Sequence, residues 1–288
     1  MTPVLGVVTG LKSEAKLLKG LGLACVSTGG QAREARRKID RLIAEGATGL
    51  ISFGIAGALS PELKTGDLIV AGMVANDIGE VWQTHQPWLD ALLPSIEPLR
   101  NGRRPDDVPH HAAARRAEGH AGTPPLWSTD GDLPENAPAS DRAPSVTSAV
   151  RPGPAQTAQG GTGEGRGIRV GAILGLDRML SSPQEKADAY ARRGALAIDM
   201  ESHHVARAAG ERNLPFIAVR AISDRADEVL PAIMATFVDA EGQTKMSAVL
   251  AALIFGRVGL GALLRAGGAS RRAHQALLRC RGALAGLG

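Results

Sequence analysis

Cysteine is scarce in this chain: Cys25 and Cys280 are its only two, too few for a disulfide framework, and no Cys/His spacing of a zinc site accompanies them. No metal ligand is expected, and a reduced cytoplasm is the natural setting. Aromatic residues make up 3% of the 288 residues, so the core must be built mainly from Ala, Leu, Val and Ile. No apolar run reaches the roughly 18 residues that a membrane-spanning helix needs. Met1-Thr2-Pro3-Val4 lacks the basic flank and apolar stretch of a signal peptide. No GxGxxG follows the first apolar run, which argues against a dinucleotide-binding oxidoreductase, and no Walker loop is present. Acidic residues are missing from 257–288, where six arginines fall. With those removed, the net charge of +4 becomes −2 for the remainder. The basic character belongs to the tail, which argues against a general nucleic-acid-binding domain.

What is present is an alternation of buried strands and amphipathic helices. Residues 3–9 read as a strand, 12–21 as a helix and 23–27 as a second strand. Thr28-Gly29-Gly30 breaks the chain before a helical run over 31–45. A strand over 49–53 closes on Gly54-Ile55-Ala56-Gly57, and 67–74 is β-rich. Order resumes with a strand over 168–174, helix 183–193, strand 195–199, helix 201–212, strand 215–222 and a helical tail from about Lys245. Near-continuous apolar strands between helices predict an α/β fold, three layers (α/β/α) around a mixed central sheet.

Between the halves the pattern fails. Residues 101–167 hold 9 of the 17 prolines and only five Val, Leu, Ile or Phe residues. Such a stretch cannot bury enough apolar surface to offset its ordering entropy, so it is expected to be a disordered insert. A frameshift corrected by a second one near Gly167 would leave the same signature. The expected organisation is therefore 1–100 and 168–250 as two halves of one domain, 101–167 between them, and 251–288 as a basic helical tail.

Ligands of open α/β sheets sit beyond the carboxyl ends of strands. Three acids lie there: Glu14, Glu201 after strand 195–199, and Asp224, which follows Glu201 by 23 residues. Breaking a glycosidic bond needs one carboxylate beside a developing sugar cation and another group acting as an acid. Each acid also has an ordinary reading: Asp224 as a helix N-cap, Glu201 as a first-turn acid, Glu14 as a surface helix residue. Gly29 and Gly30, with Arg33 in the basic helix behind them, could cradle an anion such as phosphate, or form a plain turn. Adjacent His203 and His204 are expected to point to different faces of one helix, as ordinary packing.

Taken together, these residues resemble the nucleoside phosphorylase / methylthioadenosine–adenosylhomocysteine nucleosidase superfamily. The resemblance rests on Gly6–Glu14, Ile51–Leu59, Leu63–Val70, Ile198–Glu201 and Arg220–Asp224, and it covers roughly 1–80 and 168–235. Within it the chain is most similar to the hopanoid-associated phosphorylases, through Gly175-Leu176-Asp177, Ala195–His203 and the Ala/Leu/Arg-rich C-terminus. The resemblance implies adenine release from a purine-bearing lipid, adenosylhopane, in hopanoid biosynthesis. By position, Glu14 would activate water, Glu201 and the Met200 backbone would hold the ribose hydroxyls, and Asp224 would protonate purine N7. Met179 would lie against the base, with Asp177, Ile55 and Gly57 among the substrate-binding residues. Ile55 stands where the family often has Ser or Thr, which removes a hydroxyl from the nucleophile's place and tilts the expectation toward water.

Two alternatives stand beside this one: phosphorolysis of a soluble nucleoside such as methylthioadenosine or adenosylhomocysteine, with phosphate as co-substrate and no other cofactor, or a non-catalytic damaged homologue. Leu260, Leu263, Leu264, Leu277, Leu278, Leu284 and Leu287 among the tail arginines predict either a helix on an anionic membrane surface or one packed on its own domain or another subunit. A homo-oligomer is expected.

Overall fold

The computed structural model describes residues 4–97, 167–230, 238–239, 241–245 and 260–287. The stretch expected to be a structureless insert, 101–167, lies outside these residues except for Gly167. So does the start of the helical tail, over 246–259.

The strands are β1 (Val4–Thr9), β2 (Ala24–Ser27), β3 (Ala47–Ala58), β4 (Leu68–Asn76), β5 (Val81–Gln83), β6 (Ile168–Gly175), β7 (Ala197–Asp199) and β8 (Phe216–Asp224). The helices are α1 (Lys12–Leu17), α2 (Ala32–Ala44), α3 (Gln86–Ile96), α4 (Pro183–Arg193), α5 (Ser202–Gly210) and α6 (Leu260–Leu284). All eight strands belong to one mixed sheet in the order β2-β1-β3-β7-β6-β4-β5, with β8 paired to both β3 and β4. The pairings close on themselves, β3–β8–β4–β6–β7–β3, so part of the sheet curls into a barrel. Parallel β3–β8 and antiparallel β3–β7 pairing both join the chain before 97 to the chain after 167.

Alternation along the strands decides which residues face which layer. Val8, Leu50, Phe216 and Ala218 pack with Ile39 of α2 and Val205 and Ala209 of α5. Their neighbours Val7, Ile51, Phe53, Ile217 and Val219 face the other way, onto Leu89 and Leu92 of α3 and Ala273, Leu277 and Leu284 of α6. A smaller cluster, with Leu174, Leu180 and Ile198, lies against Ala189 of α4. That helix starts on a reciprocal cap between Ser182 and Glu185 and ends on Gly194 in the left-handed conformation.

The largest boundary difference from the sequence expectation is in β3. The strand expected over 49–53 runs on through Gly54–Ala58, because Gly54, Ile55 and Ala56 pair with Arg220, Ala221 and Ile222 of β8. Nothing in the sequence pattern singles out β5 or α3. The second is a short apolar segment carrying Pro87 and Pro94, and it is held by burial of Leu89, Leu92 and Ile96. As for the tail, Leu277, Leu284 and Leu287 are buried in the core and Leu278 is exposed. The leucines expected to form a membrane-facing stripe are thus partly spent on packing, at about 1.5–3 kcal/mol for each buried Leu. The side chains of Leu260, Leu263 and Leu264 lie outside the described set.

Candidate active site

Three strand ends converge. β1 feeds α1, which carries Glu14 in its first turn; β7 ends at Asp199, two residues before Glu201 caps α5; β8 ends on Asp224 itself. All three acids are nearly or fully buried, and all line one cavity of about 960 Å³. Ile55, Gly57, Met179, Met200, Gly29 and Gly30 line it too.

The close approach of these acids to the backbone depends on glycine. A Cβ at Gly10 would sit 2.8 Å from Glu201 Oε1, one at Gly57 2.9 Å from Asp224 Oδ2, and one at Gly54 2.8 Å from Glu14 Oε1 and 2.6 Å from Arg220 Nη1. Each carboxylate occupies the space that a side chain on the facing strand would have filled.

Glu14 accepts the backbone N–H of Leu11 (2.7 Å) and of Ile55 (2.8 Å), one on each oxygen. Burial raises its pKa above the ordinary carboxylate value, against those N–H groups and the Arg220 charge. Burial likewise pushes Glu201 up to about 8; Arg220 opposes the shift, while Asp199 and Glu14 add to it. Arg220 is the hub of this region. It is fully buried in the middle of β8, its Nε paired with Asp199 and its Nη2 3.7 Å from Glu201 Oε2. Nη2 also donates to Ser52 Oγ (2.6 Å) and Ser202 Oγ (3.1 Å). Burial works against its charge, but Asp199, Glu201 and Glu14 outweigh that and raise its pKa. Nη1 has no hydrogen-bond partner among the described residues.

Asp224 has a different setting. Buried Lys186 of α4 donates to its Oδ2 at 2.7 Å and to the carbonyls of Arg225 (2.8 Å) and Glu228 (3.2 Å), so all three ammonium protons are used. Ser223 Oγ lies 2.8 Å from Asp224 Oδ1 and 3.1 Å from the Ala56 carbonyl, its single proton serving one at a time. Oδ1 faces a switchable donor and Oδ2 a fixed one. An acid or acceptor for one atom of a ligand could be built this way.

Two residues named from the sequence are not part of this cavity's lining. Asp177 instead accepts from both histidines of α5, His203 Nε2 at 3.1 Å and His204 Nε2 at 2.7 Å. This corrects the expectation that the two rings diverge: their centroids are 3.9 Å apart. Burial and the neighbouring His203 lower the pKa of His204. Arg33 is exposed on α2. The Gly29 N–H is used on the Gly10 carbonyl at 2.9 Å, so the glycine pair offers less of an anion cradle than its sequence implied. Sequence reasoning gave no role to Lys186 or Asp199 and named Arg220 only within a motif. The available signal was a charge at an inward-facing position of an apolar strand or helix face, as in Val219-Arg220-Ala221.

The fold, with its cavity at the strand ends, is an α/β fold of the nucleoside phosphorylase-like class. It is similar to S-adenosylhomocysteine nucleosidase from Streptococcus pyogenes in complex with 5-methylthiotubericidin, with a TM-score of 0.56 and 16% identity over 98% of each chain. Futalosine hydrolase of Helicobacter pylori gives a TM-score of 0.51 and 15% identity over 88% of this chain and 99% of that one. In sequence, 5'-methylthioadenosine/S-adenosylhomocysteine nucleosidase of Mycobacterium bovis is 26% identical over 219 residues, 75% of this chain and 72% of that protein. The Phosphorylase superfamily matches residues 15–254; the chain belongs to that superfamily and is an enzyme of its nucleoside-cleaving kind.

Proposed function

We propose that this protein hydrolyses the N-glycosidic bond of an adenosine-type nucleoside, releasing adenine. The observation that carries the reading is the convergence of Glu14, Glu201 and Asp224 on one cavity, with Arg220 between the first two. Asp224 gives a proton to purine N7, so the base leaves as a neutral molecule instead of an anion. The C1'–N9 bonding pair goes with it, and the sugar becomes oxocarbenium-like. Glu201 hydrogen-bonds the ribose hydroxyls, and in its ionised form, which its pKa of about 8 makes the prevailing one only above that pH in the empty site, it stabilises the cation electrostatically. Glu14 takes one proton from a water molecule whose oxygen bonds to C1', giving the free sugar. Arg220 Nη1, buried without a partner beside Glu14, supports a water there.

Water is favoured over phosphate because Ile55 offers no hydroxyl, Arg33 lies outside the cavity lining and the Gly29 N–H is already engaged. Phosphorolysis of a soluble nucleoside such as methylthioadenosine or adenosylhomocysteine is the alternative, with phosphate as co-substrate; a damaged, inactive homologue is the other. For the natural substrate we favour adenosylhopane, on the resemblance to hopanoid-associated phosphorylases. The cavity supports a large substrate: its volume is near the top of the roughly 300–1,000 Å³ range of small-molecule sites. Its apolar walls include Met179, Leu180, Val229 and Leu230.

Incubating the purified protein with adenosine-type substrates, with and without phosphate, and identifying the sugar tests this directly. Free sugar and adenine in phosphate-free buffer are expected. A sugar 1-phosphate formed only with phosphate would establish the alternative, and no adenine from any substrate the inactive homologue.

Peripheral membrane contact through 257–288 and self-association remain parts of this proposal. Among the described residues no helix is long and apolar enough to cross a membrane. Exposed Arg271 and Arg272 support a surface contact, whereas inward-facing Leu277 and Leu284 oppose it. Full-length protein should pellet with anionic vesicles at low salt and a variant carrying Arg271→Glu and Arg272→Glu, both exposed positions, should not; equal behaviour would remove these arginines from membrane binding. Light scattering on an eluting size-exclusion peak reads the oligomer.

A further inference from the structure

Outside the nucleoside cavity, the C-terminal end of β6 and the first turn of α5 bring together Asp177, His203 and His204. We propose that these three side chains form a binding site for a single divalent transition-metal ion of the zinc class, separate from the catalytic cavity.

The argument begins with direction. Neighbouring residues on a helix point about 100° apart, yet both imidazoles turn to the same carboxylate oxygen. Their Nε2 atoms lie 3.1 Å and 2.7 Å from Asp177 Oδ1, and the three candidate ligand atoms all fall within 4.8 Å of one another. On a four-coordinate zinc with bonds of about 2.0–2.1 Å, ligand atoms are spaced by roughly 3.3 Å. Each Asp177–imidazole spacing is therefore within several tenths of an ångström of that of a coordination face, and the two imidazole nitrogens lie no more than 4.8 Å apart.

Donor chemistry fits as well. Two imidazole nitrogens and one carboxylate are a common set for zinc, nickel, cobalt or copper, and a poor one for magnesium or calcium. Arg178 and Arg207, the neighbouring cations on the same segments, are paired with Glu185 and Glu80, so neither neutralises Asp177. Gly175 completes the geometry: a Cβ there would collide with the His203 ring, so glycine is what lets that ring pack against the end of β6. Asp177 is 59% exposed at its side chain, which leaves the remaining coordination positions to water.

The test uses untagged full-length protein, stripped with chelator and titrated with zinc chloride alone by calorimetry, with bound metal counted by mass spectrometry. Cobalt supplies a second readout, since its visible spectrum reports imidazole coordination directly. Wild type should bind about one ion per chain. Asp177→Ala and His204→Ala, both at positions less buried than His203, should each weaken binding by at least about tenfold, the scale seen even for residues that only orient ligands. The double variant should lose the cobalt spectrum. Circular dichroism confirms that the variants are folded, and the readout is independent of adenine release. Equal stoichiometry and affinity in wild type and double variant, or no binding by wild type, would overturn the proposal and leave a hydrogen-bonded cluster only.

Discussion

Replacing Arg220 by leucine removes the one cation that Asp199, Glu201 and Glu14 share. Leucine fills part of the volume, so the dominant effect is uncompensated buried charge and not a cavity. Breaking a buried ion pair from one side costs about 3–5 kcal/mol, about a fifth or more of the roughly 5–15 kcal/mol that holds a typical protein together. For a chain of this size that becomes a fall in Tm on the order of 6–20 °C. The pH dependence is the sharper signature. Glu201 has a folded pKa of about 8 against 4.5 in the unfolded chain, so between those values the folded state holds a proton that the unfolded state has released. Its contribution is fully present below pH 4.5 and is lost as pH rises through 8. Arg220 lowers the pKa of both Glu201 and Glu14, so its loss raises both further and steepens that decline. The gap between Arg220→Leu and wild type should therefore be widest above pH 8 and narrow toward pH 5. Differential scanning calorimetry from pH 5 to 9 reads it. A gap under about 2 °C, or one independent of pH, would refute the claim that Arg220 is the counter-charge of this cluster.

Asp224→Asn keeps the side chain's shape but not its proton, and should slow adenine release by about 10²–10⁴; it also leaves buried Lys186 without its counter-charge, so Tm should fall as well, and near wild-type turnover of the folded variant would remove Asp224 from the reaction. Gly54→Ala puts a methyl group 2.6 Å from Arg220 Nη1 and 2.8 Å from Glu14 Oε1. Neither atom can retreat far in a packed site, so we expect a loss of about 1–3 kcal/mol of stability in a denaturant titration. Adenine release should fall along with it. For Lys186→Met, an uncompensated Asp224 and two stranded carbonyls predict a comparably large drop in Tm, partly recovered in the double variant with Asp224→Asn.

The elements with a strong local signature were legible in the sequence. Helix 183–193 has its cap and its terminal glycine within a few residues, and strands β1, β6 and β8 are apolar runs whose burial any α/β arrangement would require. The three carboxylates were legible for a related reason: acids at strand ends are local facts, and strand ends of such a sheet share one side. Pairing partners were not legible. The extension of β3 through Ala58 exists because β8 offers hydrogen bonds to Gly54–Ala56, a contact between residues more than 160 positions apart. The short segments β5 and α3 have weak propensity and owe their form to what they cover.

Composition, the strand–helix alternation and three acids at strand ends were thus determined by the sequence alone, because each depends on neighbours along the chain. Which charges meet was decided only by tertiary structure. Lys186 finds Asp224 across 38 residues, Arg220 gathers Glu14 from one segment and Asp199 and Glu201 from another, and two adjacent histidines turn onto Asp177 instead of diverging. Electrostatic energy depends on distance in space and on burial, and neither is a property of position in the chain.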